Sequence, residues 1–318
     1  MMKEVVAGVD IGGTNTIIGL VDGEGEIHGE GRLATADYAF ADDFVTALDS
    51  KLKEMVSGRD DLKLVGIGIG APNANFNKGT IELATNLRWK GIIPLVRITG
   101  RKTGLRTRIT NDANAAALGE MLFGGARGIK NFIILTLGTG LGSGIVVDGE
   151  VVYGHTGFAG ELGHMTVAEG GRVCGCGRRG CLETYASATG LVRTVMFLLS
   201  DRREDSILRD LKSTEITSRR VVEASAAGDI IAQMAIDQTA HMIALGIANA
   251  VIFSSPETIF LFGGLAQAGD AIFEPVRKYA DELVQPVFRG TFNVLPSELP
   301  EARAAVLGAS ALIWKELK

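Results

Sequence analysis

Between Glu161 and Glu183 the chain reads ELGHMTVAEGGRVCGCGRRGCLE, a stretch with all three of its cysteines, one of its four histidines and a glutamate at each end. Cys174, Cys176 and Cys181 stand at C-x-C-x4-C spacing, and His164 lies ten residues before the first of them. Three thiolates and one imidazole complete the tetrahedral donor set of a structural zinc site. A site closed in this way has no open position for a catalytic water. The metal would therefore shape a loop, and the loop would present Glu161, His164 and Glu183. Three thiols within eight residues, separated by glycines and arginines, do not read as core positions.

Two other features carry possible chemistry. Asp10-Ile11-Gly12-Gly13-Thr14 and Gly138-Thr139-Gly140-Leu141-Gly142 each follow an apolar run. Glycine at such a turn lets backbone N–H groups approach a phosphate without an intervening side chain. One such turn is ordinary hairpin geometry. Two at equivalent places in a repeated unit point to a nucleotide held between two lobes. Neither matches the G-x-x-x-x-G-K-[ST] phosphate loop, and the second sits between strands, unlike a dinucleotide fingerprint that opens a helix. Asp10 places a carboxylate beside the first turn, suited to Mg2+ or its water ligands, or to the role of turn acceptor. Asp112, flanked by Asn111 and Asn114, stands at a strand-to-helix junction, where a helix cap and a reactive carboxylate are both reasonable readings.

The elements that must position these residues are legible around them. Val5 to Ile27 and Phe132 to Val152 resemble each other: an apolar strand, a glycine-threonine turn, a second apolar strand and an Asp-Gly turn (Asp22-Gly23, Asp148-Gly149) into a third. One unit used twice, with helices between, predicts an α/β architecture of two similar lobes. Asp42 to Met55 has a helical apolar face of Phe44, Leu48, Leu52 and Met55, and Leu64 to Ile69 reads as a buried strand. Arg106 to Ile109 is a short strand leading into Asn111, after which a helix closes at Gly124. Arg219 to about Asn249 is helical, Thr258 to Phe262 is a strand ending at Gly263-Gly264, and Ala302 to Leu317 is a final helix. Arg193 to Thr217 has no decisive period.

With 318 residues the chain has room for two domains of ordinary size. A formal charge of −5 implies no general affinity for nucleic acid. No signal peptide and no uninterrupted apolar run of about 18 residues is visible. Cysteines grouped as metal ligands fit a reducing, cytoplasmic setting.

DIGGTN with GLVD, NDANAAALGE, LTLGTGLGSGIV, GELGH, CGCGRRGCLE and LFGG occur in this order. Together they resemble the ROK family of sugar kinases and sugar-responsive repressors, from about Val5 to Leu312. The most specific elements are E-x-x-H followed by C-x-C-x4-C-x-E, and the Asn-Asp pair before an Ala-rich helix. The resemblance implies a two-lobed actin/hexokinase-like (ribonuclease H-like) ATPase fold with a zinc-binding loop. It places a small lobe at 1–111, with the terminal helix 302–318 packing back on it, and a large lobe at 112–301.

The same resemblance implies an ATP-dependent hexokinase acting on the 6-hydroxyl of a hexose, glucose foremost, with catalytic Mg2+, structural Zn2+ and a homodimeric or homotetrameric assembly. N-acetylmannosamine, N-acetylglucosamine, allose or fructose are the alternative acceptors, and polyphosphate is the alternative donor. A sugar-responsive repressor is disfavoured by the phosphate motifs, the acidic charge and the start of the first phosphate strand at Val5. Asp112 is implied as the general base. Asn111, Asp112, Glu161, His164 and Glu183 are implied as sugar ligands, with Thr85 and Asn86 on a loop against the sugar. His164 would bind zinc through one ring nitrogen and donate to the sugar from the other. Asp10, Gly12, Gly13 and Thr14 match the first phosphate motif, Thr136 and Gly138, Thr139, Gly140 and Gly142 the second, and Gly263-Gly264 the turn beside adenosine. Where relatives read A-P-G, this chain has Ala71-Pro72-Asn73; asparagine tolerates positive φ, and its side chain is expected near the sugar.

Overall fold

The computed structural model describes residues 2–317. In chain order the strands of its first part are β1 (Lys3–Ile11), β2 (Thr16–Val21), β3 (Ile27–Leu33), β4 (Leu62–Gly70), the short β5 (Ala74–Asn75), β6 (Thr80–Glu82) and β7 (Ile92–Ile93), and β8 (Arg106–Thr110). Helices α1 (Ala41–Val56), α2 (Leu95–Thr103) and α3 (Asp112–Phe123) alternate with them. There follow β9 (Phe132–Leu137), β10 (Leu141–Val147), β11 (Glu150–Val151), α4 (Ala188–Asp201), α5 (Ser218–Ala226) and α6 (Ile230–Ser254). The chain ends with β12 (Thr258–Phe262), α7 (Asp270–Leu283), β13 (Asn293–Pro296) and α8 (Glu301–Leu317).

The sequence repeat is a structural repeat. One sheet runs β3-β2-β1-β4-β8 and the other β11-β10-β9-β12-β13. In the first, β1 pairs antiparallel with β2 and parallel with β4, and β4 pairs parallel with β8. In the second, β9 pairs antiparallel with β10 and parallel with β12, and β12 pairs parallel with β13. Near-continuous apolar runs in β1 and β9 follow from burial on both faces, which parallel neighbours covered by helices require.

Two compact units result. The first comprises residues up to Gly128, Val151–Ala159 and Glu298 onward; the second comprises Ile129–Glu150 and Gly160–Ser297. The division thus falls after Gly128, whereas the sequence reading placed it after 111, because α3 packs along α8 and stays with the sheet of β1. Helix α8 lies directly on that sheet. A Cβ at Gly8 of β1 would run into the carbonyl oxygen of Val306, and one at Gly68 of β4 into that of Ala309. Two glycines in strands therefore set how closely the helix approaches.

In the second unit, α6 is a 25-residue helix long and apolar enough to cross a membrane by length and composition alone. Gln233, Asp237, Gln238 and His241 interrupt its apolar run, while Ile236, Ile243, Ile247 and Val251 are buried, and it packs against α4, α5 and α7 as the unit's core helix. The stretch from Arg193 to Thr217, without a clear period in sequence, completes α4 and then makes two 3-10 turns.

Candidate active site

In the first unit the carboxyl ends of three parallel strands lie in register: Asp10 of β1 pairs with Gly70 of β4, which pairs with Thr110 of β8. The carboxyl edge of a parallel sheet is where α/β folds place ligands. Asn111 and Asp112 follow directly. Asn111 is the N-cap of α3, its Oδ1 accepting the Asn114 N–H at 2.7 Å, so the capping role weighed for Asp112 is filled by its neighbour. Asp112 is the first helical residue. Its Oδ1 accepts the Ala113 N–H at 2.9 Å and its side chain is exposed at the N-terminus of the helix.

Asp10 is more enclosed. Burial first, and then the nearby negative charge of Asp112, push its pKa up to about 6. Two carboxylates thus influence each other at this edge. The adjoining Gly12-Gly13-Thr14 turn is closed by Gly12 N–H donating to Asn15 O at 2.9 Å. Asn86 faces the turn through its backbone, since a Cβ on Gly13 would meet its carbonyl oxygen. Thr85 and Asn86 are both exposed on this loop. Asn73 does adopt positive φ, at 51°. Its side chain, expected near a sugar, is turned to donate from Nδ2 to Glu82 O at 3.1 Å, bracing the loop before Leu83.

The second unit repeats the arrangement with different chemistry. Thr136 pairs with Gly142 across the β9–β10 hairpin, and its Oγ1 accepts the Gly142 N–H at 3.2 Å. The turn between them is pinned by Gly138 N–H to Gly140 O at 3.1 Å, with Thr139 exposed at its tip. Gly263 and Gly264 end β12 beside it: Leu265 N–H donates to Leu137 O at 3.2 Å, and Gly263 has φ of 98°. Both second-unit turns named from sequence are therefore neighbours.

The cysteine loop docks on the same edge. Leu162 N–H donates to Ser143 Oγ at 3.1 Å, and Ser143 in turn donates to Gly160 O, tying the loop's start to β10. His164 Nδ1 lies 3.6 Å from Cys174 Sγ, and Cys176 Sγ lies 3.7 Å from Cys181 Sγ. All four donor atoms fall within 4.8 Å of one another. Tetrahedral zinc, with Zn–S of about 2.3 Å and Zn–N of about 2.0–2.1 Å, requires donor separations of about 3.6–3.8 Å. The two measured separations match that requirement. With Nδ1 turned to the cysteines, Nε2 is the ring nitrogen left for a ligand. Glu161, exposed, precedes a 3-10 turn through His164, and Glu183, half-buried, follows the last cysteine in another.

Sequence reasoning missed the residues that hold this loop. Arg172 donates from Nη1 to Thr184 O at 2.8 Å and Gly190 O at 3.1 Å, donates from Nη2 to Thr194 Oγ1 at 3.0 Å, and stacks its guanidinium 4.5 Å from the Tyr185 ring centroid. Arg178 reaches back to His164 O and Thr166 Oγ1. The only sequence signal was arginine in a glycine-rich loop, which does not tell a brace from an exposed charge.

The ROK family model matches residues 6–316. The chain belongs to the ROK family. This ROK protein is 37% identical over 284 residues to a glucokinase of Halalkalibacterium halodurans, covering 88% of this chain and 86% of that one. It is 35% identical over 257 residues to a xylose repressor of Caldicellulosiruptor bescii, covering 80% of this chain and 63% of the repressor. Among solved structures, a ROK family glucokinase from Streptomyces griseus in complex with glucose and AMPPNP superposes with a TM-score of 0.78 at 32% identity, covering 97% of this chain and 98% of that one. The ROK chain's two sheets are thus the α/β sheets of an actin/hexokinase-like fold.

Proposed function

We propose that this ROK protein is an ATP-dependent hexokinase that phosphorylates the 6-hydroxyl of glucose. The observation that carries the reading is the division of labour at the start of α3: Asn111 caps the helix, which leaves the Asp112 carboxylate exposed beside Asp10. Asp112 is the general base. As the oxygen of the 6-hydroxyl bonds to the γ-phosphorus and the bond to the β-phosphate oxygen breaks, Asp112 takes the hydroxyl proton and ADP leaves. In a loose phosphoryl-transfer transition state positioning contributes more than basicity.

Asp10 fits the role of holding Mg2+ through its water shell, with the Gly12-Gly13-Thr14 and Gly138–Gly142 turns offering backbone N–H groups to phosphate oxygens. When bound, the cation would neutralise charge on the β- and γ-phosphates. His164, Cys174, Cys176 and Cys181 would hold Zn2+ as a structural ion. Asn111 donates from its amide, His164 from Nε2, and Glu161 and Glu183 accept, a mixed set that discriminates hydroxyl epimers. Free thiols retained as metal ligands fit a cytoplasmic setting.

A coupled ADP-release assay over a panel of hexoses and N-acetylhexosamines tests the reading. Turnover is expected with glucose and the highest kcat/KM with it. Absence of turnover with every sugar would refute the kinase assignment, and a higher kcat/KM for an N-acetylhexosamine would refute glucose as its substrate.

A further inference from the structure

Helices α1 and α2 of the first unit, with the loop running to β7, enclose a cleft of about 890 Å3. Five cations line it, Arg88 and Lys90 from the loop and Arg97, Arg101 and Lys102 from α2, against a single carboxylate, Asp42. All five are exposed, and Arg97 and Arg101 stand one helical turn apart on the same face. Several basic side chains elsewhere on this unit pair, Lys51 with Glu54, Lys53 with Asp49, Arg59 with Asp61, Lys63 with Glu4, and Arg106 and Arg108 with Glu316, while Arg32 meets Asn15 and Arg127 meets backbone carbonyls, and none of these lines the cleft. Among the described residues, none of the five cleft cations makes an ion pair.

In a chain of net charge −5, a local surplus of four positive charges (five minus one) is a concentration against the overall balance. Like charges in one concavity repel, and an anion bound there would relieve that repulsion. The framework around them is hydrogen-bonded. Arg88 donates to Ala36 O at 2.8 Å, Lys90 to Leu87 O at 3.2 Å, and Trp89 Nε1 to Tyr38 O at 3.1 Å. Phe40, 69% exposed at the rim, offers an apolar face beside the cations. A single phosphate, with a charge of about −1.5 to −2, would leave at least half the surplus unmet.

We propose that this cleft is a second binding site for a small molecule carrying two or more linked phosphates, its charge met by Arg97, Arg101 and Lys102 and its organic part resting on Phe40. The inference is independent of the hexokinase reading, because it uses none of the residues assigned there. Titration calorimetry with inorganic tripolyphosphate, in magnesium-free buffer at about 0.1 M salt, tests it on the wild type and on R97E/R101E. Saturable binding is expected in the wild type, weakened at least about tenfold by the double charge reversal and by added salt. Inorganic orthophosphate is expected to bind far more weakly. Circular dichroism and thermal melting check that R97E/R101E is folded, and R97Q/R101Q, which removes charge without reversing it, supplies a second variant with the same expected direction. No saturation by about 1 mM, or equal affinity in the wild type and a folded variant, would overturn the proposal.

Discussion

The Glu183 carboxylate accepts the backbone N–H of Leu141 at 3.0 Å, joining the end of the cysteine loop to the glycine turn after β9. The contact is tight enough that a Cβ on Gly140 would run into Glu183 Oε2. Glu183→Ala leaves the buried Leu141 amide without its acceptor, at a cost of about 1–3 kcal/mol. Glu183→Gln keeps an acceptor oxygen and should recover most of that loss in urea unfolding. Gly140→Ala should displace the carboxylate, lowering kcat/KM for the sugar more than it lowers the melting temperature, since the obstructing atom is the end of a flexible side chain.

Asn111 and Asp112 should separate stability from chemistry. Asn111→Ala removes the cap of α3 and should cost about 1 kcal/mol of stability, with Asn111→Ser recovering part of it. Asp112→Asn should leave stability near wild type while lowering kcat by about 10²–10⁴-fold, with glucose still bound in an equilibrium titration. A Asp112→Asn enzyme with wild-type kcat would remove Asp112 from the role of base.

Asp10 sets a pH dependence of definite sign. Its folded pKa, about 6, lies above its ordinary value of 3.8. Below pH 3.8 the carboxyl is protonated in folded and unfolded chains alike. Between 3.8 and 6 the unfolded chain ionises first, so stability declines as pH rises, by up to about 3 kcal/mol. Asp10→Asn should therefore stabilise the ligand-free protein at pH 7.5 while lowering Mg2+-dependent turnover. In the wild type, kcat/KM for ATP should fall as pH drops through about 6, because the group that faces the cation is then protonated. Asp112→Asn should move that midpoint down, since the Asp112 charge is the second cause of the shift.

For the cysteine loop, Cys176→Ser should reduce bound zinc, measured by elemental analysis, and raise the sugar KM with little change in the KM for ATP. Unchanged sugar affinity in zinc-free protein would make the loop a stability element independent of substrate geometry.

Asp22 should report acid stability. It is buried, which opposes ionisation, yet hydrogen bonds from His28 (2.8 Å), Lys3 (3.0 Å) and the N–H groups of Glu26 (2.9 Å) and Glu24 (3.0 Å) outweigh burial and hold its pKa down at about 2. Its contribution is complete above about pH 4 and is lost as pH falls towards 2, a change of up to about 2 kcal/mol. Asp22→Asn should unfold at lower urea concentration than wild type at pH 6, and the difference should shrink at pH 3.

Much of this architecture is readable from local pattern. The repeat at Val5–Ile27 and Phe132–Val152 predicts one strand–turn–strand unit used twice, because alternation between apolar runs and glycine turns is a local property of the chain. Thr258–Phe262 was delimited at both ends for the same reason. The grouping of His164 with the three cysteines, whose donor atoms the fold brings within 4.8 Å of one another, was equally legible, since all four lie in one short loop. The unit boundary was not: whether α3 belongs with the first or the second sheet depends on its packing against α8, nearly two hundred residues later.

The sequence by itself therefore determined the residue types of the candidate site and the elements that carry them, because those follow from nearest-neighbour chemistry. Only the tertiary structure decided that Asn111 caps while Asp112 stays exposed, that Asn73 turns to Glu82, and that Glu183 rests on the Leu141 amide. It alone decided that five cations from a loop and a helix share one cleft. Each of these outcomes is a competition among several available partners, settled by distance and burial that spacing does not encode.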